Sequence, residues 1–336
     1  MTIARSVNLQ TYNTFGVPAT AAFFLSIESK ESLEEALRYA ARENLPALVL
    51  GGGSNVLFTR DYPGLVLHIN NSGIKWLEDV ADGSQKVRVA AGENWHDFVS
   101  TCLEKELYGL ENLAFIPGTV GAAPIQNIGA YGAELADFFV ELSCYDREHH
   151  QWLTLTRDQC EFAYRDSLIK RSGGRYVVFD ITLELSKDWK PNLSYQALAS
   201  VIGKTDPSAQ QVFDTICSMR RERLPDPNDL GNAGSFFKNP VVSDEKYEAL
   251  QKQLPGLPNY PTEEKGLTKI PAAWLLDQLG WRGRSRGRAQ VHKNHALILV
   301  NTGYALGEDI LLLAQDMSSS VLGNFGIALE PEVQIQ

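Results

Sequence analysis

Residues 115–132 read FIPGTVGAAPIQNIGAYG, a run of 18 residues that contains no charged side chain. Its four glycines and two prolines interrupt the periodicity of any helix or strand. Small side chains, backbone amides and the polar pair Gln126 and Asn127 suit a large, flat ligand that carries phosphates. A buried structural crossover is the alternative interpretation of this long glycine loop, and composition by itself leaves both open.

A short glycine loop, GGGSN at residues 51–55, follows a predicted buried strand. Glycines allow the backbone to approach a ligand closely, and successive free N–H groups form a nest that binds anions. The loop matches neither G-x-G-x-x-G nor the P-loop pattern. A strand is predicted after it, so the helix-terminus phosphate site of a Rossmann unit is missing. Taken alone, the loop fits phosphate binding and a tight structural connection equally well.

Hydrophobic periodicity predicts a mixed α+β chain without internal repeats. The predicted strands are 20–27, 47–50, 56–58, 65–69, 87–91, 139–145, 176–185 and 296–301, and the predicted helices are 29–44, 94–106, 207–223, 244–254, 271–279 and 307–322. The segment LPDPN at 224–228 is the clearest domain-boundary signal.

Charge and length exclude several classes of protein. The chain has 336 residues, 31 Lys+Arg, 41 Asp+Glu and a net charge of −10, which argues against nucleic-acid binding and gives no support for an anionic membrane surface. No apolar run approaches the length of a transmembrane helix, and residues 1–10 lack the apolar core of a signal peptide. Four widely spaced cysteines are expected to be ordinary thiols. Together with the lack of these apolar segments, the thiols predict a cytoplasmic protein.

The two glycine loops resemble the flavin-binding loops of the UDP-N-acetylenolpyruvoylglucosamine reductase family, the MurB family of bacterial cell-wall synthesis. The likeness continues in NTFG at 13–16, YRDS at 164–167, GNAGSFFKNP at 231–240 and LEPEV at 329–333. It therefore covers essentially the whole chain, in order.

The resemblance implies an α+β fold with a two-lobed FAD-binding region of the vanillyl-alcohol-oxidase (PCMH) type and a smaller α+β substrate-binding domain. The implied divisions are a first FAD lobe at 1–70, a second lobe at 71–218, the substrate domain at 219–320 and a C-terminal return to the active site at 321–336. The segment 187–206 would be the extra loop of the longer, type I subtype. Neither glycine loop contains a histidine, so non-covalent FAD is expected.

The implied reaction is NADPH-dependent reduction of UDP-N-acetyl-3-O-(1-carboxyvinyl)-glucosamine to UDP-N-acetylmuramate through FAD, in peptidoglycan precursor synthesis. The expected ligands are FAD, NADPH and a UDP-sugar, with no nucleic-acid or membrane partner and a monomeric chain. Two alternatives stay open. One is another FAD-dependent oxidoreductase of the same fold, and the other is a non-catalytic nucleotide-binding module.

Ser235 matches the proton donor of the family, and Arg165 matches the arginine that binds the substrate carboxylate and the developing enolate. A hydroxyl is a weak acid and needs stabilising cations or hydrogen bonds, whereas a planar guanidinium fits a carboxylate bidentately. The local alternatives are a serine in a turn or N-cap, and an arginine in a surface ion pair with Asp166 or Glu161.

Glu332 matches the catalytic glutamate, with Glu330 as the local rival. The choice of Glu332 rests on its place as the second glutamate of the LEPE pattern. A solvated carboxylate near the chain end is the alternative for either residue.

The resemblance also assigns binding residues. FAD contacts fall on Gly51, Gly52, Gly53, Ser54, Asn55, Pro117, Gly118, Thr119, Gly121, Gln126, Asn127, Gly129, Ala130, Tyr131 and Gly132, and substrate contacts fall on Tyr164, Tyr195, Arg223, Lys238 and Asn239. Tyr195 resembles the tyrosine that covers the UDP part in the longer subtype. The chain departs from the family in Arg223, where a lysine is usual, and in Gln334, where an arginine often follows Glu-Val.

Two further motifs give weaker indications of a functional site. His292 and His295 lack a carboxylate or cysteine at useful spacing, so no metal site is expected. The alternating arginines from Arg282 to Arg288 favour a solvated hairpin, with a phosphate contact as the alternative.

Overall fold

The computed structural model describes residues 2–80, 83–203, 206–260, 262 and 264–336. The strands of this part of the chain are β1 Ala4–Asn8, β2 Thr20–Ile27, β3 Ala47–Leu50, β4 Val56–Leu57, β5 Tyr62–Ile69, β6 Ile74–Asp79, β7 Ser84–Ala90, β8 Gly129–Ala130, β9 Ala133–Glu134, β10 Phe139–Asp146, β11 Gln151–Thr156, β12 Tyr176–Ser186, β13 Asn232–Ser235, β14 Val241–Ser243, β15 Leu267–Lys269, β16 Ser285–Arg286, β17 Ala289–Val291, β18 Ile298–Asn301 and β19 Gln334–Ile335. The α-helices are α1 Lys30–Arg42, α2 Trp95–Glu104, α3 Arg157–Cys160, α4 Leu168–Arg171, α5 Gln196–Ile202, α6 Ala209–Arg223, α7 Asp244–Gln253, α8 Ala272–Gln278 and α9 Gly307–Phe325.

The chain divides into two compact units. Unit 1 comprises Met1–Val7, Ala21–Gly53 and Tyr62–Glu222, and unit 2 comprises Asn8–Thr20, Ser54–Asp61 and Arg223–Gln336. The resemblance implies a first FAD lobe that includes the early segments 8–20 and 54–61, whereas the structure places these segments in unit 2. Their partners lie far along the chain, and periodicity carries no information about such pairings.

Unit 1 contains the helix α1 and a sheet with strand order β1-β2-β5-β3, in which β2, β5 and β3 run parallel. The helix begins where Ser29 Oγ accepts the N–H of Ser32 at 3.1 Å. Its apolar stripe of Leu33, Ala36 and Ala40 is buried in one core together with the sheet. The helix predicted at 29–44 is therefore confirmed as α1.

A five-stranded antiparallel sheet, in the order β11-β10-β12-β7-β6, forms the second part of unit 1. Leu142 faces Ile181 across β10 and β12, and Ile181 faces Val89 across β12 and β7; all three side chains are fully buried. The helices α2 and α6 contribute to the same core. This core supports the long glycine loop, whose Gly121 N–H donates to Ala91 C=O at 2.8 Å.

Unit 2 is built on an antiparallel sheet with strand order β13-β18-β17-β16. The NTFG segment braces this sheet, since Thr14 C=O accepts the N–H of Asn232 at 2.9 Å and Phe15 C=O accepts Asn301 Nδ2 at 2.9 Å. A Cβ at Gly231 would lie 2.2 Å from Phe15 O, so only glycine fits where the two segments cross.

The predicted strand after the short glycine loop is confirmed as β4, which pairs in parallel with β19. The predicted arginine hairpin is confirmed as β16–β17, where Arg286 forms an ion pair with Asp316. The four cysteines are buried free thiols, as expected. Among the described residues, no helix has both the length and the apolar character needed to cross a membrane.

Candidate functional site

The two glycine loops meet within unit 1. A Cβ at Gly51 would lie 2.6 Å from Thr119 Oγ1, and a Cβ at Gly52 would lie 3.2 Å from Gly118 Cα. A side chain at Gly51 would clash with Thr119, and one at Gly52 would crowd Gly118, so the glycines allow the two loops to approach closely. Glycine loops of this kind can offer several backbone N–H groups to a pyrophosphate, so the residues present fit FAD.

Asn127 organises the interior of the long glycine loop. The side chain is 1% exposed, and its Nδ2 donates to Glu134 Oε2 at 2.7 Å and to Ala163 C=O at 3.2 Å. Its Oδ1 accepts the N–H of Ala136 at 3.0 Å. These bonds hold the backbone of Asn127 in a left-handed conformation at φ 42°.

Arg165 lies at the tip of a tight hairpin in which Ala163 and Asp166 exchange backbone hydrogen bonds of 3.1 Å. Its backbone is left-handed at φ 54°, its guanidinium donates to Gly129 C=O, and its Cζ lies 5.2 Å from the ring centroid of Tyr164. The hairpin thus places the predicted carboxylate-binding cation directly on the long glycine loop.

The two carboxylates that were the alternative partners of Arg165 have another arginine beside them. Both Asp166 and Glu161 form ion pairs with Arg171. Ser167 is fully buried and donates its hydroxyl to Ile125 C=O at 2.7 Å, which anchors the YRDS segment to the long glycine loop.

Tyr195 also comes to this loop. It precedes α5, and its ring lies edge-on to the ring of Tyr131, with centroids 5.3 Å apart and an interplanar angle of 84°. The far end of the loop and the predicted substrate-covering tyrosine are therefore in contact.

Arg220 is a residue of this region that the sequence analysis missed. Its Nε donates to Phe115 C=O at 2.9 Å, and burial lowers the pKa of its guanidinium. A signal was present in the sequence, because Arg220 follows Phe213, Ile216 and Cys217 at helical spacing and so falls on the buried face of α6.

In unit 2, Ser235 ends β13 and faces Ile298 of β18. The preceding Gly234 has φ 69°, and its N–H donates to Oδ1 of the buried Asn232 at 2.9 Å. Glycine is needed at this left-handed position, which presents a half-buried Ser235 at the edge of the strand.

Glu332 is brought to the same strand by backbone pairing. Its N–H donates to Phe236 C=O at 2.8 Å, and an antiparallel bridge joins Phe237 to Pro331. The backbone of Glu332 is therefore bonded, within unit 2, to the residue that follows Ser235.

Lys238 interacts with one of the two candidate glutamates, Glu330. Its N–H donates to Glu330 C=O at 2.9 Å, and its ammonium group forms an ion pair with the Glu330 carboxylate. The ion pair of Glu330 is therefore with Lys238, and the choice between the two glutamates still rests on the resemblance.

The other predicted substrate contacts, Asn239 and Arg223, lie at different elements of the fold. Asn239 Oδ1 accepts the N–H of Ala272 at 3.0 Å at the start of α8. Arg223 is exposed at the end of α6. Gln334, which stands where the family often has arginine, donates its N–H to Asn55 C=O at 3.0 Å.

Known proteins share this architecture. The solved UDP-N-acetylenolpyruvylglucosamine reductase (MurB) of Thermus caldophilus superimposes with a TM-score of 0.69 at 23% identity, covering 100% of this chain and 99% of that chain. A solvent-stable cholesterol oxidase superimposes with a TM-score of 0.54 at 11% identity, covering 98% and 86%. Residues 21–150 match the family model of the FAD binding domain. The chain therefore carries an FAD-binding domain, and the predicted α+β fold is confirmed.

The family is defined more narrowly by sequence. Residues 226–336 match the C-terminal domain of UDP-N-acetylenolpyruvoylglucosamine reductase. The reductase of that name from Pseudomonas putida is 44% identical, covering 97% of this chain and 96% of its own, and that from Paraburkholderia phytofirmans is 46% identical, covering 96% and 95%. The chain belongs to the UDP-N-acetylenolpyruvoylglucosamine reductase family.

Proposed function

We propose that the protein reduces UDP-N-acetyl-3-O-(1-carboxyvinyl)-glucosamine to UDP-N-acetylmuramate with NADPH as the reductant, in the synthesis of peptidoglycan precursors. NADPH and one proton are consumed, and NADP⁺ and the reduced UDP-sugar are released. Non-covalent FAD supplies the hydride chemistry when bound. The chain's own residues have to bind the substrate, stabilise an enolate and deliver one proton.

Arg165 is assigned to the substrate carboxylate, because a guanidinium stabilises both the carboxylate and the negative charge that develops as the hydride reaches C3 of the enolpyruvyl group. Ser235 is assigned to donate its hydroxyl proton to C2. Glu332 is assigned to the same proton-transfer site. Tyr164, Tyr195, Arg223, Lys238 and Asn239 are assigned to the remainder of the UDP-sugar.

The observation that carries the proposal is the hydrogen bond of Glu332 N–H to Phe236 C=O at 2.8 Å, in a chain of this family. This bond supports the assignment because it joins the backbone of Glu332, which is remote in sequence, to the residue that follows Ser235.

The division of labour follows from the same assignment. The FAD lobes, 1–70 and 71–218 apart from the segments 8–20 and 54–61 of unit 2, are assigned Gly51–Gly53 and the long glycine loop, and the substrate domain, 219–320, is assigned Ser235, Lys238 and Asn239. The return at 321–336 supplies Glu332. The monomeric state and the cytoplasmic location stay predictions.

Anaerobic stopped-flow absorbance of the flavin tests the proposal. NADPH should bleach the oxidised flavin, and the enolpyruvyl UDP-sugar should restore its absorbance faster than oxygen does. Faster reoxidation by oxygen, with no response to the UDP-sugar, would instead identify an oxidase of the same fold. A protein that retains no flavin would identify a non-catalytic module.

A further inference from the structure

The first residue of the long glycine loop has an unusual backbone. Phe115 adopts a left-handed conformation at φ 59°, which costs an ordinary L-residue about 1–2 kcal/mol. Such a conformation persists only where the surroundings enforce it. Phe115 lies three residues before Gly118, which meets Gly52 of the short glycine loop, so its conformation sets how the long loop begins.

The side chains of His96 and Arg220 form hydrogen bonds with the backbone of Phe115. The N–H of Phe115 donates to His96 Nδ1 at 3.1 Å, and its C=O accepts Nε of Arg220 at 2.9 Å. The ring is held as well, edge-on to His96 with centroids 5.3 Å apart and beneath the guanidinium of Arg221 at 4.9 Å. Both polar groups of one strained residue therefore have dedicated partners.

His96 is itself fixed in one state. It lies on α2 and stacks on Phe213 of α6, with centroids 5.5 Å apart and an interplanar angle of 11°. Because Nδ1 accepts a hydrogen bond, the proton of the neutral ring is on Nε2. The charged groups that face it are Asp97 on its own helix and Arg220 and Arg221 on α6.

We propose that His96 is a positioning residue, which holds Phe115 and hence the long glycine loop in the form that binds FAD, and that acid releases this hold. Protonation would turn Nδ1 into a donor that faces the N–H of Phe115, and it would add a positive charge beside two arginines. The inference rests on the proposed function, in which the long glycine loop binds FAD.

The direction of the pH effect follows from the ring's surroundings. Burial lowers the pKa of His96, Asp97 raises it, and Arg221 and Arg220 lower it further, with a net decrease. A histidine with a lowered pKa stabilises the ordered loop fully above its ordinary pKa of about 6.5, and this stabilisation is lost as the pH falls through the lowered value. FAD affinity should therefore fall in acid.

Two substitutions separate the hydrogen bond from the packing of the ring. His96→Phe keeps an aromatic ring between Phe115 and Phe213 but removes the acceptor. His96→Asn removes the ring but keeps an oxygen acceptor close to the position of Nδ1. Flavin fluorescence at about pH 7.5 should show Kd for FAD raised about tenfold or more in His96→Phe, and within about threefold of the unsubstituted protein in His96→Asn. The opposite order would overturn the proposal.

The pH profile gives a second readout, which a merely structural role would not move. Between about pH 7.5 and pH 5.5, Kd for FAD should rise more in the unsubstituted protein than in His96→Asn, which cannot titrate there. His150→Asn, at an exposed histidine, should follow the unsubstituted protein. Parallel profiles for the unsubstituted protein and His96→Asn would overturn the acid release.

Failure of the proposed function is distinguishable from failure of this inference. If the unsubstituted protein takes up no FAD at any pH, the proposed function fails. The hold on Phe115 is then judged by hydrogen exchange of its amide in the apoprotein, which should be faster in His96→Phe than in His96→Asn. Equal exchange rates would overturn the hold.

Discussion

The long glycine loop and the C-terminal segment, residues 329–336, are fixed in different ways. Besides backbone bonds such as that of Gly121 to Ala91, the backbone of the loop forms hydrogen bonds with the side chains of His96, Arg220, Asn112 and Ser167. The side chain of Asn127, within the loop, bonds outward to Glu134, Ala136 and Ala163. The C-terminal segment is held mainly by backbone pairing with β4 and with the segment after β13. A structure held by side chains depends on residue identity, whereas one held by backbone pairing depends on register.

The largest effect is expected at Ser235, at the end of β13, because a substitution there can remove the proposed chemistry without disturbing the backbone pairing. Ser235→Ala removes the proposed proton donor but leaves every backbone bond of the pairing in place. Loss of a general acid should slow reoxidation of the flavin by the enolpyruvyl substrate about 10²–10⁴-fold, and flavin reduction by NADPH should stay near normal. Stopped-flow absorbance measures both half-reactions.

Ser200→Ala, at an exposed serine of α5, is the matched control and should be silent in both half-reactions. If Ser235→Ala slowed both half-reactions equally, or neither, Ser235 would not be the proton donor. A large fall in thermal stability would show that the hydroxyl supports the pairing.

Asn127→Ala tests the side-chain support of the loop. It removes three hydrogen bonds from a residue that is 1% exposed, so about 3 kcal/mol of unfolding free energy should be lost. Denaturant unfolding measures this loss, and FAD retention on gel filtration should fall with it. Asn324→Ala removes an exposed amide on α9 and should change the free energy by less than about 0.5 kcal/mol. Equal effects at the two sites would contradict support of the loop by side chains.

Thr59→Val tests the C-terminal segment, and the smallest effect is expected here. The Thr59 hydroxyl donates to Gln336 C=O at 2.7 Å, but its backbone N–H donates to the same oxygen at 2.8 Å. Since the backbone bond remains, the loss should be below about 1 kcal/mol, with both half-reactions intact. A loss as large as that of Asn127→Ala would remove the distinction between the two regions.

The sequence predicted most of what local chemistry controls. The predicted strand 20–27 is found with the same bounds, and the helix predicted at 29–44 is found at Lys30–Arg42 with Ser29 as its cap. Periodicity and capping act within a few residues, which is why these elements could be read from the chain. The glycine loops could be read for the same reason.

Long-range placement could not be predicted in the same way. The resemblance identified Glu332, but only the bridge between Phe237 and Pro331 explains how it reaches the Ser235 segment. The left-handed backbone of Phe115 was also invisible, because phenylalanine has no preference for it and the cause lies in His96 and Arg220. Conformations imposed by tertiary contacts leave no local mark in the chain.

Unit 2 is assembled from segments that lie far apart in the chain, and this has a consequence for folding during translation. Segments 8–20 and 54–61 leave the exit tunnel long before their partners in 223–336 are translated. Their apolar side chains, Leu9, Phe15 and Phe58 among them, are almost fully buried in the finished protein. These side chains lack their native packing partners while unit 1 is translated, and a chaperone would bind the nascent chain in this interval.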